Sequence, residues 1–455
     1  MTEGRAEPAA LADRLASVEA QLLARWPESR VDPTLDRITA LLDLLGDPQG
    51  TYPVILVTGT NGKTSTARMV DGLLRSFGLR VGRFTSPHLT SVTERIALEG
   101  RPIAPERFVA AWDDVAPYVA LVDAGQPYPL SFFEVLTAMA YTAFAEAPVD
   151  VAVMEIGMGG RWDSTNVVDP AVAVVTAVGL DHQAYLGDTI ASIAGEKAGI
   201  IKAGSVAVLA QQEPEAAEVL LRRSVEVGAT VAREGFEFGV LARDLAVGGQ
   251  RLSLQGLGGA YDEVFLPLHG AHQAHNAAVA LAAVEAFLGG GSGRLDEEVV
   301  RAGFAEASSP GRLEVVRTSP TVLVDAAHNP AGARALADAM GEAFSFDQVV
   351  GVLGVLADKD ARGLLEALEP VLTEVVVTRS TSARALDPDA LGALAVEVFG
   401  ADRVEVVALL PDALDRAVTL AEESASLGSS AVLVTGSVLT AGEARALLRG
   451  RGPVG

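Results

Sequence analysis

Apolar positions along the chain change period several times, and those changes outline its elements. Leu11, Leu15, Val18, Leu22 and Trp26 recur at helical spacing and predict an amphipathic opening helix, with a second over residues 37–45. From Val54 onward, short and nearly unbroken apolar runs alternate with helical stretches. The runs at 54–58, 151–155, 171–178 and 206–210 read as strands buried on both faces, hence a mostly parallel sheet covered by helices. Across 229–268 the helical period fades into alternation, as in Arg251-Leu252-Ser253-Leu254, with turns at Gly248-Gly249 and Gly258-Gly259. That stretch predicts a small antiparallel insertion. Helices over 275–288 and 295–307 flank a flexible break from Gly289 to Gly293. Ser308-Ser309-Pro310-Gly311 marks a boundary, and beyond it strands near 321–325, 349–353, 374–378, 404–408 and 431–435 restart the alternation. The expected architecture is α/β: an N-terminal domain of residues 1–308 and a C-terminal doubly wound, Rossmann-like domain of residues 309–455.

Composition narrows the classes of function. Acidic residues number 59 against 35 basic, a net charge of −24, which argues against nucleic acid or anionic membrane as a partner. Cysteine is absent, excluding disulfides, thiol catalysis and cysteine-ligated metals. The start, with Glu3, Arg5 and Glu7, lacks the apolar segment of a signal peptide, and no apolar run approaches the roughly 18 residues that span a bilayer. A cytoplasmic, monomeric chain is expected. Of the basic residues only Lys63, Lys197, Lys202 and Lys359 are lysine, and the four Asn and six His are equally scarce. In a chain that otherwise uses Arg, these residues mark places where their own chemistry is needed.

The first such place follows residues 54–58. Gly59-Thr60-Asn61-Gly62-Lys63-Thr64-Ser65 joins that strand to a helix, so backbone N–H groups and the helix dipole face an anion while an ammonium reaches the outer phosphates of a nucleotide. Thr64 can offer its hydroxyl to magnesium. The spacing departs from the common P-loop, whose first Gly would fall at Val57.

Gly59 to Thr64 resembles the phosphate loop of the Mur ligase superfamily. Further motifs resemble its folate branch, the dihydrofolate synthase/folylpolyglutamate synthases. They include Thr85-Ser86-Pro87-His88-Leu89, Ser131-Phe132-Phe133-Glu134, Glu155-Ile156-Gly157-Met158-Gly159-Gly160-Arg161, Asp163-Ser164-Thr165-Asn166, Leu180-Asp181-His182, Gly195-Glu196-Lys197-Ala198-Gly199-Ile200, Pro310-Gly311-Arg312, Asp325-Ala326-Ala327-His328-Asn329-Pro330 and Asp358-Lys359-Asp360. The resemblance runs from about residue 37 to 448 and implies a Mur-ligase-like P-loop ATPase domain.

Glu155 ends an apolar strand at the sheet edge where ligands bind, and a carboxylate there needs a cation: magnesium, or Arg161 in a structural ion pair. The resemblance implies that Ser86 gives the first magnesium another oxygen, and that His182 holds a second together with Lys197 as its carbamate. It places Thr85, Pro87 and His88 near a pterin substrate, on which Phe132 and Phe133 could stack, although both also fit core packing. His269, His272 and His275 are spaced as zinc ligands could be but have no carboxylate close by. His272 and Asn276 are better read as nucleotide-site residues, with Asn276 toward adenine, Arg312 toward the phosphates and Asp325 toward the ribose. His328 is expected to face substrate, and Lys359 is either functional or a salt-bridged helix start. Either Thr64 or Ser65 can meet magnesium. The implied cofactors are ATP and two Mg2+, and the implied substrates are L-glutamate with dihydropteroate or a reduced folate, joined through an acyl phosphate. The competing readings are a cell-wall Mur ligase and a non-catalytic ATP-binding switch.

Overall fold

The computed structural model of the chain describes residues 6–27, 32–291, 293–424 and 428–450, so Glu3, Arg5 and Ser292 of the glycine-rich break lie outside the described residues. The opening helix spans Ala6–Leu23, with Val18 and Leu22 buried, and a second covers Asp36–Leu44. Strands β1 (Val54–Thr58), β2 (Val81–Phe84), β3 (Ile96–Leu98), β4 (Arg101–Pro102), β5 (Val151–Glu155), β6 (Val172–Val175), β7 (Val206–Leu209) and β8 (Thr230–Arg233) form one sheet in the order β4-β3-β2-β5-β1-β6-β7-β8. The six strands from β2 to β8 in that order run parallel, while β3 and β4 turn back as an antiparallel edge.

The unbroken apolar runs follow from burial on both faces. Leu56, Met154 and Ala173 enter one core, and Ile55, Val57, Val153 and Val174 enter the other. Several elements differ from the sequence reading. The 171–178 run is strand only to Val175, because Thr176 turns its hydroxyl onto the carbonyls of Thr58 and Asn61. Residues 230–233 belong to the parallel sheet, and the antiparallel insertion is confined to β9 (Gly239–Ala246), β10 (Gly249–Gln255) and β11 (Ala260–Leu266). The β2 strand was hidden by Gly82 and Arg83, the latter buried and paired with Asp71.

The helix Ala271–Gly289 starts one turn earlier than its apolar pattern suggests, and the next covers Glu297–Ala305. Beyond the linker, β12 (Glu314–Thr318), β13 (Thr321–Val324), β14 (Gln348–Leu353), β15 (Glu374–Arg379), β16 (Val404–Leu409) and β17 (Ser430–Thr435) form a second sheet, ordered β12-β13-β17-β14-β15-β16 and parallel except for β12. Among the described residues no helix is long and apolar enough to cross a membrane.

Candidate active site

β1 lies between β5 and β6, so three loops leave the carboxyl edge of the first sheet side by side: the phosphate loop, the loop after Glu155, and residues 176–182. Open parallel sheets bind ligands at such an edge. The phosphate loop is forced into its turn by two glycines. A Cβ on Gly59 (φ +148°) would sit 1.8 Å from Thr176 Oγ1, and one on Gly62 (φ +87°) would sit 2.4 Å from Asn276 Oδ1. The helix Lys63–Ser76 then starts directly at the anion site. Lys63 Nζ folds back to donate to the carbonyls of Gly59 (3.0 Å) and Thr60 (3.1 Å), and burial lowers its pKa.

Glu155 is 1% exposed and makes no ion pair with Arg161, which lies at the surface. Thr64 Oγ1 donates to its Oε1 at 2.8 Å, and the Ser86 N–H donates to its Oε2 at 3.2 Å. Burial raises the Glu155 pKa against the pull of Lys63. Ser65, by contrast with Thr64, is buried, its hydroxyl bonded to Ser309 of the linker at 2.9 Å. The Thr64 hydroxyl and the Glu155 carboxylate thus meet as hard oxygen donors, with the Ser86 backbone beside them, a set that fits a magnesium ion. Among the described residues no cluster of three His, Cys, Asp or Glu could hold a metal by itself.

Lys197 Nζ also donates to the Gly59 carbonyl, at 2.8 Å. Burial, with Lys63 nearby, lowers its pKa to about 7. His182, at the edge of the same site with φ +52°, is driven by burial to a pKa of about 3, so its imidazole is neutral and able to ligate.

Two cavities meet here. One, of about 690 Å³, is lined by the loop from Thr60 to Ser65, by His272, Asn276 and Glu155, and by Arg312 and Asp325 from beyond the boundary. Asn276 lies against Gly62 and donates to Gln273 (3.1 Å). Asp325 accepts the N–H groups of Leu313 (2.8 Å) and Ala327 (2.7 Å), so it also ties the linker to the second sheet. The other cavity, of about 340 Å³, is mostly apolar, with Phe133, Met158, Trp162, Pro87 and Leu439 among its walls. Ser86, Pro87, Gly157, His182, His328 and Val438 line both cavities.

The remaining expected residues divide. His88 and Phe133 face the apolar cavity, His88 accepting from Arg95 Nε at 2.9 Å. Phe132 packs in the core under the Arg95 guanidinium, 4.9 Å from its ring centroid, and Thr85 is buried with its N–H on the Arg95 carbonyl. The three histidines diverge: His269 packs on Phe344 at 5.1 Å, His272 lines the nucleotide-sized cavity, and His275 binds Glu234 at 2.5 Å. Lys359 pairs with Asp181 across the domains. Sequence reasoning did not single out Asp181, nor the charged wall of the apolar cavity where Arg37 pairs with Asp32 and Glu134. Asp181 stood in the Leu180-Asp181-His182 motif, but no role was read for it.

A family model of the Mur ligase middle domain matches residues 57–284, and one of the Mur ligase glutamate ligase domain matches residues 311–438. The dihydrofolate synthase/folylpolyglutamate synthase of Mycobacterium tuberculosis is 55% identical, covering 96% of this chain and 94% of its own. That of Bacillus subtilis is 38% identical over 75% of this chain and 80% of its own. The M. tuberculosis folylpolyglutamate synthase complexed with ADP superposes with a TM-score of 0.94 at 55% identity, covering 97% of this chain and all of that one. An FPGS–AMPPCP–folate complex gives 0.82 at 32% identity, over 95% of this chain and 99% of that one.

Proposed function

Because the chain belongs to the dihydrofolate synthase/folylpolyglutamate synthase branch of the Mur ligase family, we propose that it joins L-glutamate to dihydropteroate, to the glutamate tail of reduced folates, or to both, with ATP as the energy source. It is an ATP-dependent carbon–nitrogen ligase. The observation that carries the reading is the wall shared by the two cavities, which lets a carboxylate from the apolar cavity reach a phosphate held at the loop.

In the first half-reaction a carboxylate oxygen attacks the γ-phosphorus, the bond to the ADP oxygen breaks, and an acyl phosphate forms. Loop N–H groups and the Lys63 ammonium hold the phosphates and offset the charge that develops. In the second, the glutamate amine attacks the acyl carbon, loses a proton, and phosphate leaves. The apolar walls exclude water, which would otherwise hydrolyse the intermediate.

Thr64, Ser86 and Glu155 suit one Mg2+; His182 and a carbamate on Lys197 suit a second. When bound, such ions neutralise phosphate charge. The carbamate needs a neutral amine to add CO2 and release a proton, which a lysine with a pKa near 7 supplies at neutral pH. ATP as a substrate supports a cytoplasmic location.

Phosphate release with ATP and glutamate, compared between dihydropteroate and tetrahydrofolate, tests the reading. Glutamate-dependent release with at least one acceptor is expected; release with neither overturns it, as would turnover only with a sugar-peptide acceptor.

A further inference from the structure

Asp181 belongs to the first domain, and beyond the neighbouring His182 N–H, which donates to its Oδ1 at 2.8 Å, its side chain is turned to the second. Its Oδ1 meets Lys359 Nζ at 2.5 Å, its Oδ2 accepts from Asn329 Nδ2 at 3.1 Å, and the same oxygen faces His328 Nε2 at 3.4 Å. The Asp181 and Lys359 side chains are each only 7% exposed. Asn329 Nδ2 also donates to Asn61 Oδ1 at 3.1 Å, which ties the cluster to the phosphate loop. One carboxylate therefore gathers three groups from two separate loops of the other domain.

Its burial sets this contact apart from an ordinary surface ion pair. Exposed pairs are worth little, whereas removing one partner of a buried pair leaves an uncompensated charge. The location adds the second constraint. His328 lies on the wall shared by the cavities, and Lys359 lines the apolar cavity beside it, so both face the space an amine must cross to reach an acyl phosphate. Positioning errors of about 1 Å in such a step cost about 100-fold in rate.

We propose that Asp181 is a positioning residue for the second half-reaction: it holds His328 and Lys359 of the C-terminal domain against the shared wall, so that the incoming amino acid meets the acyl phosphate in the correct orientation. This rests on the ligase reading above. It separates two steps that a merely structural contact would affect together.

The test uses the full-length chain and two nucleophiles. Hydroxylamine is small, traps the acyl phosphate as a hydroxamate with release of phosphate, and needs no orientation by the second domain. Asp181→Asn keeps the shape of the side chain and removes its charge. Its glutamate-dependent phosphate release should fall about 30-fold in kcat/KM, while hydroxylamine-dependent release and ADP binding stay within about threefold of wild type. Parallel loss with both nucleophiles, or no loss with glutamate, overturns the proposal. Asn329→Asp reads the same contact from the other side, for use if Asp181→Asn does not fold. It keeps the oxygen that accepts the Gly332 N–H at the helix start and sets a like charge against Asp181. The same selective loss is expected, and a parallel loss again counts against the assignment. If wild type releases phosphate with hydroxylamine but not with glutamate, the ligase reading fails, and this inference with it.

Discussion

At the scale of a residue, Glu155 shows a site in tension with stability. Its carboxylate is buried at the end of a strand, and its hydrogen-bond partners, the Thr64 hydroxyl and the Ser86 N–H, are both neutral. Burial disfavours its charged form, so the folded chain gains nothing from ionising it. Glu155→Gln should therefore melt at the same temperature as wild type or higher, yet lose about 100-fold or more in phosphate release. A variant that keeps its activity, or one that unfolds, would show the carboxylate to be structural. Scarcity led to this region, since Asn61, Lys63, His182 and Lys197 all surround it. The same index over-reads elsewhere. Lys202 donates to the carbonyls of Asn166 (2.9 Å) and Val168 (2.6 Å), and Asn166 donates to those of Arg161 and Gly199. Those two rare residues tie loops together. Rarity marks a requirement for a particular group but not which requirement. Asp181 escaped because aspartate is common and because its partners lie 148 and 178 residues further along the chain.

At the scale of elements, the buried parallel strands were legible because both faces demand apolar side chains. At the rim the reading was uneven: β16 was expected near 404–408, whereas β12, with Glu314 and Arg317 on an edge, and β8, half polar, were not read as strands of these sheets. Contacts between loops and distant helices leave no periodic trace at all. The loop from Ser86 to Leu89 is one example. Its Leu89 carbonyl lies where a Cβ on Gly442, within the helix Val438–Gly450, would approach to 2.0 Å. A Cβ on Gly311 in the linker would come within 3.0 Å of the Leu89 side chain. The linker and the C-terminal domain thus both press on the loop that brings Ser86 to Glu155. Gly442→Ala sets two effects against each other. Alanine should favour the helix by about 1 kcal/mol, but overpacking against backbone costs about 1–3 kcal/mol. The clash wins: a lower melting temperature is expected, with about a tenfold loss of activity as the loop is pushed away from Glu155. An unchanged melting point with full activity would mean that the helix yields and the loop does not.

At the scale of the whole molecule, the linker is bound from both sides. Ser309 meets Ser65 of the phosphate-loop helix, Asp325 holds Leu313, and Arg243 of the insertion reaches Glu342 of the C-terminal domain at 2.9 Å. The ligands these domains enclose are anions, and the chain carries a net charge of −24. Long-range and local electrostatics therefore oppose each other. Lys63, Arg312, Lys359 and Arg384 line the cavities, close enough for their attraction to survive physiological salt. The remaining surface repels an approaching anion over a Debye length of about 30 Å at 0.01 M salt and only about 8 Å at 0.15 M. Added salt should remove the repulsion before it weakens the attraction. The expected outcome is that kcat/KM for ATP, measured at fixed free magnesium, rises about two- to fivefold between those two salt concentrations. A steady fall over the same range would mean that the cations at the cavity mouth already dominate the field at long range. The acidic surface would then leave the encounter unaffected, and its role would be confined to keeping the chains apart from one another.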